Sequence, residues 1–226
     1  LLIDGGLLKK YVKDYKWSNI FQMIRNLQSK PSICNEDFNH RLVIITGATS
    51  GIGYATAMKF ASHGADLLFI NRNEQKSKEL CKDLESRYNT KSAYHNADFS
   101  KLSDVRSVAE QLLNLNRDID VLVHNAGVYN TKKSYTEDNL ETVFQTNYLS
   151  TFVLNYILRD KFKKQSNGRI LFVNSEAYRF AAFGLHFDDL NWNTRRYSGL
   201  LSYGAAKLAQ LLSMIKFDEF FQGSGV

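Results

Sequence analysis

The segment Thr46-Gly47-Ala48-Thr49-Ser50-Gly51-Ile52-Gly53 places three glycines between a continuous apolar run at 42–46 and a helical pattern at 52–63. Such an apolar run is typical of a strand buried on both faces. Glycines here allow a tight turn and a close approach of the backbone to a diphosphate. The free N–H groups of the helix's first turn would face that anion. We therefore expect a dinucleotide-binding loop formed by Gly47, Thr49, Ser50, Gly51, Ile52 and Gly53.

Strands and helices continue to alternate after this loop. The apolar patterns predict further strands at 66–71, 92–97, 120–125 and 169–174, and helices at 74–88, 103–115, 136–158 and 202–221. This alternation predicts one α/β domain over 41–226, with a Rossmann-like, doubly wound parallel sheet. The sequence stops at Val226, where another strand would follow. We therefore expect the sheet to be truncated at its C-terminal end.

Residues 1–40 are predicted to form a helical appendage to that domain. Apolar residues recur at helical spacing over 7–27, with lysines between them, and Pro31 marks the expected linker. Two interpretations remain open for this segment. It is either an amphipathic helix in peripheral contact with a membrane, or a helix packed on its own domain or on a second subunit.

The composition narrows the choice of partner and compartment. The formal net charge is +6, but the lysines and arginines are spread along the chain, which favours solvated helix faces over a nucleic-acid site. Cys34 and Cys81 lack metal-type spacing and favour a reducing compartment, and the histidines are too scattered to indicate a metal site. No apolar run is long enough to span a membrane, and no secretory signal is visible. We expect an intracellular protein, either cytoplasmic or peripheral on an intracellular membrane.

The end of the second predicted strand bears on the choice of dinucleotide. The sequence there is Asn71-Arg72, without the acidic residue that would bind a ribose diol and favour NAD. Arg72 can form a charge-assisted pair with a 2′-phosphate, which favours NADP(H). The alternative is a surface arginine that caps the next helix.

Two further strand ends supply candidate cofactor contacts. Asp98, followed by Phe99, could accept a hydrogen bond from an adenine amino group; it could equally cap the next helix, with Ser100 and Ser103 as rival caps. The fourth strand ends in Asn125-Ala126-Gly127, whose small residues would let the backbone lie against a ribose. The alternative there is an ordinary glycine turn.

Tyr203 and Lys207 are four residues apart in a predicted helix and therefore share one face of it. A tyrosine hydroxyl alone is a poor proton donor or acceptor at neutral pH, but a nearby ammonium stabilises the phenolate. The pair therefore indicates acid–base chemistry. The alternative is an amphipathic helix with a solvated lysine.

Taken in order, these motifs closely resemble those of the short-chain dehydrogenase/reductase family. The glycine loop, His124-Asn125-Ala126-Gly127, Asn147 within a helix, Ser175 after the fifth strand, and the Tyr203–Lys207 pair match the family's elements. The resemblance implies that Tyr203 acts as general acid or base and contacts the cofactor, and that Lys207 binds the nicotinamide ribose and tunes Tyr203. It further implies that Ser175 binds the substrate oxygen and that Asn147 holds a proton-relaying water. Two positions depart from the family pattern: His124 replaces its first asparagine, and Asn174 replaces its first serine.

The long gap between Ser175 and Tyr203, with Phe187-Asp188-Asp189-Leu190 inside it, resembles the retinol-dehydrogenase-like branch. That resemblance implies an oxidoreductase that uses NADP(H) and an apolar carbonyl or alcohol, retinoid-, steroid- or lipid-like. It also implies a homo-oligomer that pairs through 136–158 and 202–221. The competing hypothesis is a catalytically silent dinucleotide-binding regulatory or scaffold protein.

Overall fold

The computed structural model describes residues 28, 30, 32–181 and 184–226. The predicted amphipathic segment 7–27 and Pro31 lie outside the described residues. Glu36–Val226 forms one compact unit. Residues 36–40, assigned above to the appendage, belong to this unit, since the ring of Phe38 packs 5.0 Å from that of Phe60. Within the described part of the chain, no helix combines the length and the apolarity that crossing a bilayer requires.

A parallel five-stranded sheet in the order β3-β2-β1-β4-β5 forms the centre of the domain. This order confirms the predicted Rossmann-like fold. The bounds of the strands lie within two residues of the prediction. They are β1 Leu42–Thr46, β2 Asp66–Asn71, β3 Ser92–Asn96, β4 Val121–His124 and β5 Arg169–Phe172.

Helices cover both faces of the sheet. They are α1 Gly51–Ala61, α2 Glu74–Tyr88, α3 Leu102–Leu113, α4 Ser150–Lys164 and α5 Gly199–Phe221. Alternate residues of β1 point to opposite faces: Val43 and Ile45 pack toward α1 and α2, whereas Leu42 and Ile44 pack toward α3, α4 and α5. All five β1 side chains are buried, as the continuous apolar run predicts.

The prediction of a helix over 136–158 was wrong at both ends. Asn139 adopts a left-handed conformation (φ 59°), which interrupts a helix, and the Glu141 carboxylate caps the turn Thr142–Phe144. A π-helical turn, Gln145–Leu149, then leads into α4, which continues to Lys164. α4 ends there because Gln165 is extended and its amide pairs with both backbone polar groups of Ile119, at 3.0 Å each.

Candidate functional site

The glycine loop is compact because it has no space for side chains at two of its positions. Gly47 has φ +68°, and a Cβ there would lie 2.8 Å from the Cα of Ala126. A Cβ on Gly53 would overlap the carbonyl oxygen of Gly47 and the side-chain nitrogen of Asn125. The start of α1 is therefore packed directly against the end of β4. This leaves the backbone of the loop open on its outer side.

Hydrogen bonds behind the loop fix its shape. The buried Thr46 Oγ1 accepts from the backbone N–H of Asn125 at 3.0 Å and from that of Ala126 at 2.9 Å. In return, Asn125 Nδ2 donates to the carbonyl oxygens of Thr46 (3.0 Å) and Gly47 (2.8 Å). The side chain of Asn125 thus holds the loop. The sequence reasoning missed Thr46, whose only signal is a polar residue closing an apolar strand.

A cleft of about 400 Å³ opens at the carboxyl ends of the strands, where α/β sheets bind ligands. Nine of the predicted cofactor-binding residues line it: Gly47, Thr49, Ser50, Arg72, Asp98, Phe99, Asn125, Ala126 and Gly127. Gly51, Ile52 and Gly53 do not line it, although they belong to the same loop. Seven further residues complete the walls: Ile70, Asn71, Asn73, Lys76, Ala97, Val128 and Thr146.

Two cations stand at the β2 end of the cleft. Arg72 does not cap α2, because the Asn73 side chain does so by accepting from the backbone N–H of Lys76 at 2.9 Å. Among residues 32–181 and 184–226, no carboxylate forms an ion pair with Arg72 or Lys76. The Asn71 amide is occupied behind the loop, accepting from the N–H of Ala48 at 2.7 Å. This end of the cleft is therefore positively charged, and the sequence reasoning missed Lys76.

Asp98 is held in a turn of its own. Its Oδ1 accepts from the N–H of Ser100 at 2.9 Å and from the Ser100 hydroxyl at 2.8 Å. None of the three predicted capping residues caps α3. Instead, Asp138 accepts from the first N–H of that helix, on Leu102, at 2.9 Å. Asp98 Oδ2 accepts no hydrogen bond within the described ranges.

Thr146 was also missed by the sequence reasoning. It lines the cleft from the π-helical turn and is 7% exposed. Its hydroxyl has no hydrogen-bond partner among the described residues. A buried hydroxyl without a partner is uncommon in folded proteins, and this one lies where a ligand in the cleft could satisfy it.

Asn147, on the same turn, is fully buried and joins the cleft to the catalytic candidates. Its side chain accepts from the N–H of Val128 at 2.7 Å and donates to the carbonyl of Val128 at 2.8 Å. Its own carbonyl accepts from Gln210 Nε2 at 3.3 Å. Because this carbonyl lies within a π-turn rather than a regular helix, a side chain from α5 can reach it.

Lys207 is 4% exposed, so the alternative of a solvated lysine is wrong. Its ammonium donates to the carbonyl of Val173 at 2.7 Å and to Gln210 Oε1 at 3.2 Å. Burial lowers the pKa of Lys207 to about 8, because the charged form loses hydration. Gln210 was missed, although a polar residue one turn beyond Lys207 on the same helix face was a usable signal.

Tyr203 lies beside this ammonium, with Lys207 Nζ 5.7 Å from the centre of its ring. The ring also packs edge-on against Tyr129, at 5.6 Å between centroids. Within the part of the chain that the structure describes, the Tyr203 hydroxyl makes no hydrogen bond. The arrangement is a half-buried phenol, available to a ligand, next to a buried cation.

Ser175 is fixed where the chain leaves β5. Asn174 Oδ1 accepts from the N–H of Ser175 at 2.7 Å, and Asn174 Nδ2 donates to the carbonyl of Lys207 at 3.1 Å. The Ser175 hydroxyl accepts from the N–H of Ala177 at 3.2 Å, which leaves its proton free to donate. Asn174, a departure from the family pattern, thus ties the serine segment to the helix that carries Tyr203 and Lys207.

His124 does not contribute to the cleft. It is fully buried, pairs with Asn155 of α4 at 2.7 Å and stacks on Phe172. Burial lowers the pKa of His124 to about 4, so the ring is neutral. This second departure from the family pattern therefore affects the packing of β4 on α4 rather than the site.

The residues present fit a bound dinucleotide. Gly47, where a Cβ would clash, the cations Arg72 and Lys76, and Thr146 all line one cleft. Asn147 adjoins that cleft through Gly127 and Val128. A Cβ on Gly127 would lie 3.3 Å from Asn147 Oδ1.

Known proteins are similar to this chain in sequence. The family profile described as short chain dehydrogenase matches residues 41–185. Retinol dehydrogenase 13 from Homo sapiens is 35% identical over 189 residues, covering 82% of this chain and 56% of that protein. The chain spans about half the length of the curated relatives it matches.

Solved structures are similar to this chain in fold. An uncharacterised protein from Mycobacterium paratuberculosis superposes with a TM-score of 0.70 at 31% identity, covering 84% of this chain and 66% of that one. A short-chain dehydrogenase from Sphingobium yanoikuyae in complex with NADPH gives a TM-score of 0.67 at 25% identity, covering 82% and 67%. The chain belongs to the short-chain dehydrogenase/reductase family and to its retinol-dehydrogenase-like branch.

Proposed function

We propose that this protein is an oxidoreductase that transfers a hydride between NADP(H) and an apolar carbonyl or alcohol substrate. The observation that carries the proposal is the Tyr203 phenol, whose hydroxyl makes no hydrogen bond among the described residues, beside the buried Lys207 ammonium. The walls of the neighbouring cleft suit a phosphorylated dinucleotide.

Tyr203 moves the proton in this reaction. In reduction it donates its phenolic proton to the substrate oxygen, and in oxidation the phenolate accepts the proton back. The Lys207 ammonium stabilises the phenolate because the two groups are close and Lys207 is shielded from water. Ser175 donates a hydrogen bond from its hydroxyl to the substrate oxygen as negative charge develops there, and keeps its proton.

NADP(H), when bound, supplies or accepts the hydride. The glycine-loop backbone and the first turn of α1 would hold its diphosphate. Arg72 and Lys76 would pair with the 2′-phosphate, since neither has a carboxylate partner among the described residues. Asn147 holds the wall of the cleft at Val128 and, with a bound water, would pass protons toward solvent.

The preference for an apolar substrate rests on the segment before α5. A small cavity there has mostly apolar walls, including Phe144, Phe180, Leu185, Leu190, Trp192 and Leu201. Relatives named retinol dehydrogenase support the same substrate class. Pairing into a homo-oligomer and peripheral membrane contact stay predictions.

The substitution Tyr203→Phe tests the proposal in the full-length protein. NADPH absorbance is followed over a panel of apolar aldehydes, ketones and alcohols. We expect kcat to fall by about 10³-fold or more, because the proton donor is lost, while the Kd for NADPH changes less than about twofold, since the cleft is untouched. Tyr156→Phe, on the exposed face of α4, is the matched control. Wild-type turnover by Tyr203→Phe would refute the mechanism. Cofactor binding without turnover by the parent would favour a silent binding protein.

A further inference from the structure

Glu141 is a buried carboxylate that the mechanism above does not use. It is 0% exposed, and no lysine or arginine within 32–181 or 184–226 forms an ion pair with it. A buried charge without a cation is costly unless hydrogen bonds compensate it. Four hydrogen-bond donors surround this one.

Two of these donors are backbone groups at the start of the helix that carries Asn147. Glu141 Oε1 accepts from the N–H of Val143 at 3.0 Å, and Oε2 accepts from the N–H of Phe144 at 2.8 Å. This is a helix cap, which serine, threonine or aspartate provides equally well. Capping alone therefore does not require a glutamate.

The other two donors come from the segment that leads into α5. The Ser202 hydroxyl donates to Oε2 at 2.8 Å. The Tyr197 hydroxyl shares its proton between Oε1 at 3.2 Å and the carbonyl of Asn130 at 3.3 Å. Ser202 directly precedes Tyr203 in the chain. Tyr197 remains a donor, since burial and the negative charge of Glu141 raise its pKa to about 12. One carboxylate thus links the two helices that carry Asn147 and Tyr203.

We infer that Glu141 is a positioning residue that, through Ser202, fixes the Tyr203 turn of α5 relative to the turn that carries Asn147. The inference rests on the proposed function. Small displacements of a reacting group cost large factors in rate, and no hydrogen bond from the described residues holds the Tyr203 hydroxyl. The glycine loop is held separately, by Thr46 and Asn125, so loss of the Ser202 contact leaves the diphosphate site in place.

The decisive comparison is Ser202→Ala against Ser213→Ala. Both serines are buried in α5, but the Ser213 hydroxyl donates to the carbonyl of Gln210 within its own helix, at 2.8 Å. For Ser202→Ala we expect kcat to fall about tenfold to thirtyfold, with KM and the Kd for NADPH changed less than about twofold. For Ser213→Ala we expect kcat within about twofold of the parent. Equal kcat for the two variants would overturn the inference.

Glu141→Asp separates the cap from the link, because aspartate can cap the helix but is too short to reach Ser202. We expect a loss of kcat similar to that of Ser202→Ala, and the double variant should be no slower than either single variant. If the fold losses of kcat in the two single variants multiply in the double variant, the two residues act independently and the inferred link from Glu141 through Ser202 is overturned. If Glu141→Asp fails to fold, the comparison of Ser202→Ala with Ser213→Ala still tests whether the Ser202 contact positions Tyr203.

A measurement without cofactor tests the positioning role of Glu141 separately from the proposed enzymatic function. Amide hydrogen exchange over 203–206 should be about tenfold faster in Ser202→Ala than in the parent, and unchanged in Ser213→Ala. A parent without turnover overturns the proposed function and the catalytic role of Glu141 with it. An active parent with unchanged exchange and kcat in Ser202→Ala overturns only the positioning role.

Discussion

The cofactor cleft and the catalytic centre are built in different ways, although they share a border at Val128. At the cleft, backbone groups and two short polar side chains, Thr46 and Asn125, satisfy one another. Around the catalytic centre, two charged groups are buried, the Lys207 ammonium and the Glu141 carboxylate. The cleft therefore stabilises the fold, whereas the catalytic centre holds charges at the expense of stability.

Lys207→Met removes a buried charge from the catalytic centre and should have the largest effect on turnover. We expect turnover to fall by at least about 10³-fold, because the phenolate loses its cation. At pH 7 the free energy of unfolding should rise by up to about 3 kcal/mol, since burial lowers the pKa of Lys207 from its ordinary value to about 8. Urea unfolding measures this, with the exposed Lys164→Met as the control.

The pH dependence of that gain follows from the direction of the shift. Below about pH 8 the folded and unfolded chains both carry the charge, so the cost of burying it is fully present. As the pH rises from 8 toward the ordinary lysine value, the folded lysine is neutral while the unfolded one still binds a proton, and the cost declines. The difference in free energy of unfolding between Lys207→Met and the parent should therefore be smaller at pH 9.5 than at pH 7. An equal difference at the two pH values would contradict the lowered pKa of Lys207.

Thr46→Val tests the stabilising side. The side chains are nearly isosteric, but valine leaves the N–H groups of Asn125 and Ala126 without their acceptor. We expect the free energy of unfolding to fall by about 2–3 kcal/mol and the Kd for NADPH to rise about tenfold as the loop loosens. Thr46→Ser keeps the hydroxyl and should retain most of both properties. Valine without effect on stability would show that the loop is held elsewhere.

Arg72→Ala and Lys76→Ala test the two cations of the cleft, neither of which has a carboxylate partner among the described residues. Each should raise the Kd for NADPH about tenfold and leave the Kd for NADH within about twofold, because only NADPH carries the 2′-phosphate. Lys78→Ala is the control, since Lys78 is already paired with Glu74 at 2.7 Å. Calorimetry measures the Kd for both dinucleotides in the parent and in each variant. Equal loss for both dinucleotides would place these cations at the shared diphosphate instead.

The sequence predicts the cleft better than the catalytic centre because the cleft is encoded in short contiguous motifs. The glycine spacing and the strand ends can be recognised within a few residues, whereas in the catalytic centre only the Tyr203–Lys207 pair is local. The Glu141–Ser202 contact joins residues 61 positions apart, and Gln210 reaches Asn147 across 63. No local pattern marks either contact. The start of the helix that carries Asn147 was mispredicted for the same reason, since its cap depends on partners from α5.

The π-turn at Gln145–Leu149 constrains how this chain can change in length. Such a turn holds one residue more than a regular helical turn. A deletion between 145 and 149 would remove that extra residue and convert the segment to a regular helix, in which the Asn147 carbonyl would pair within the helix and no longer accept from Gln210. Point substitutions can be absorbed in this segment far more readily than a gap. A sequence alignment of related chains should accordingly contain no gap between the capping carboxylate and Ser150.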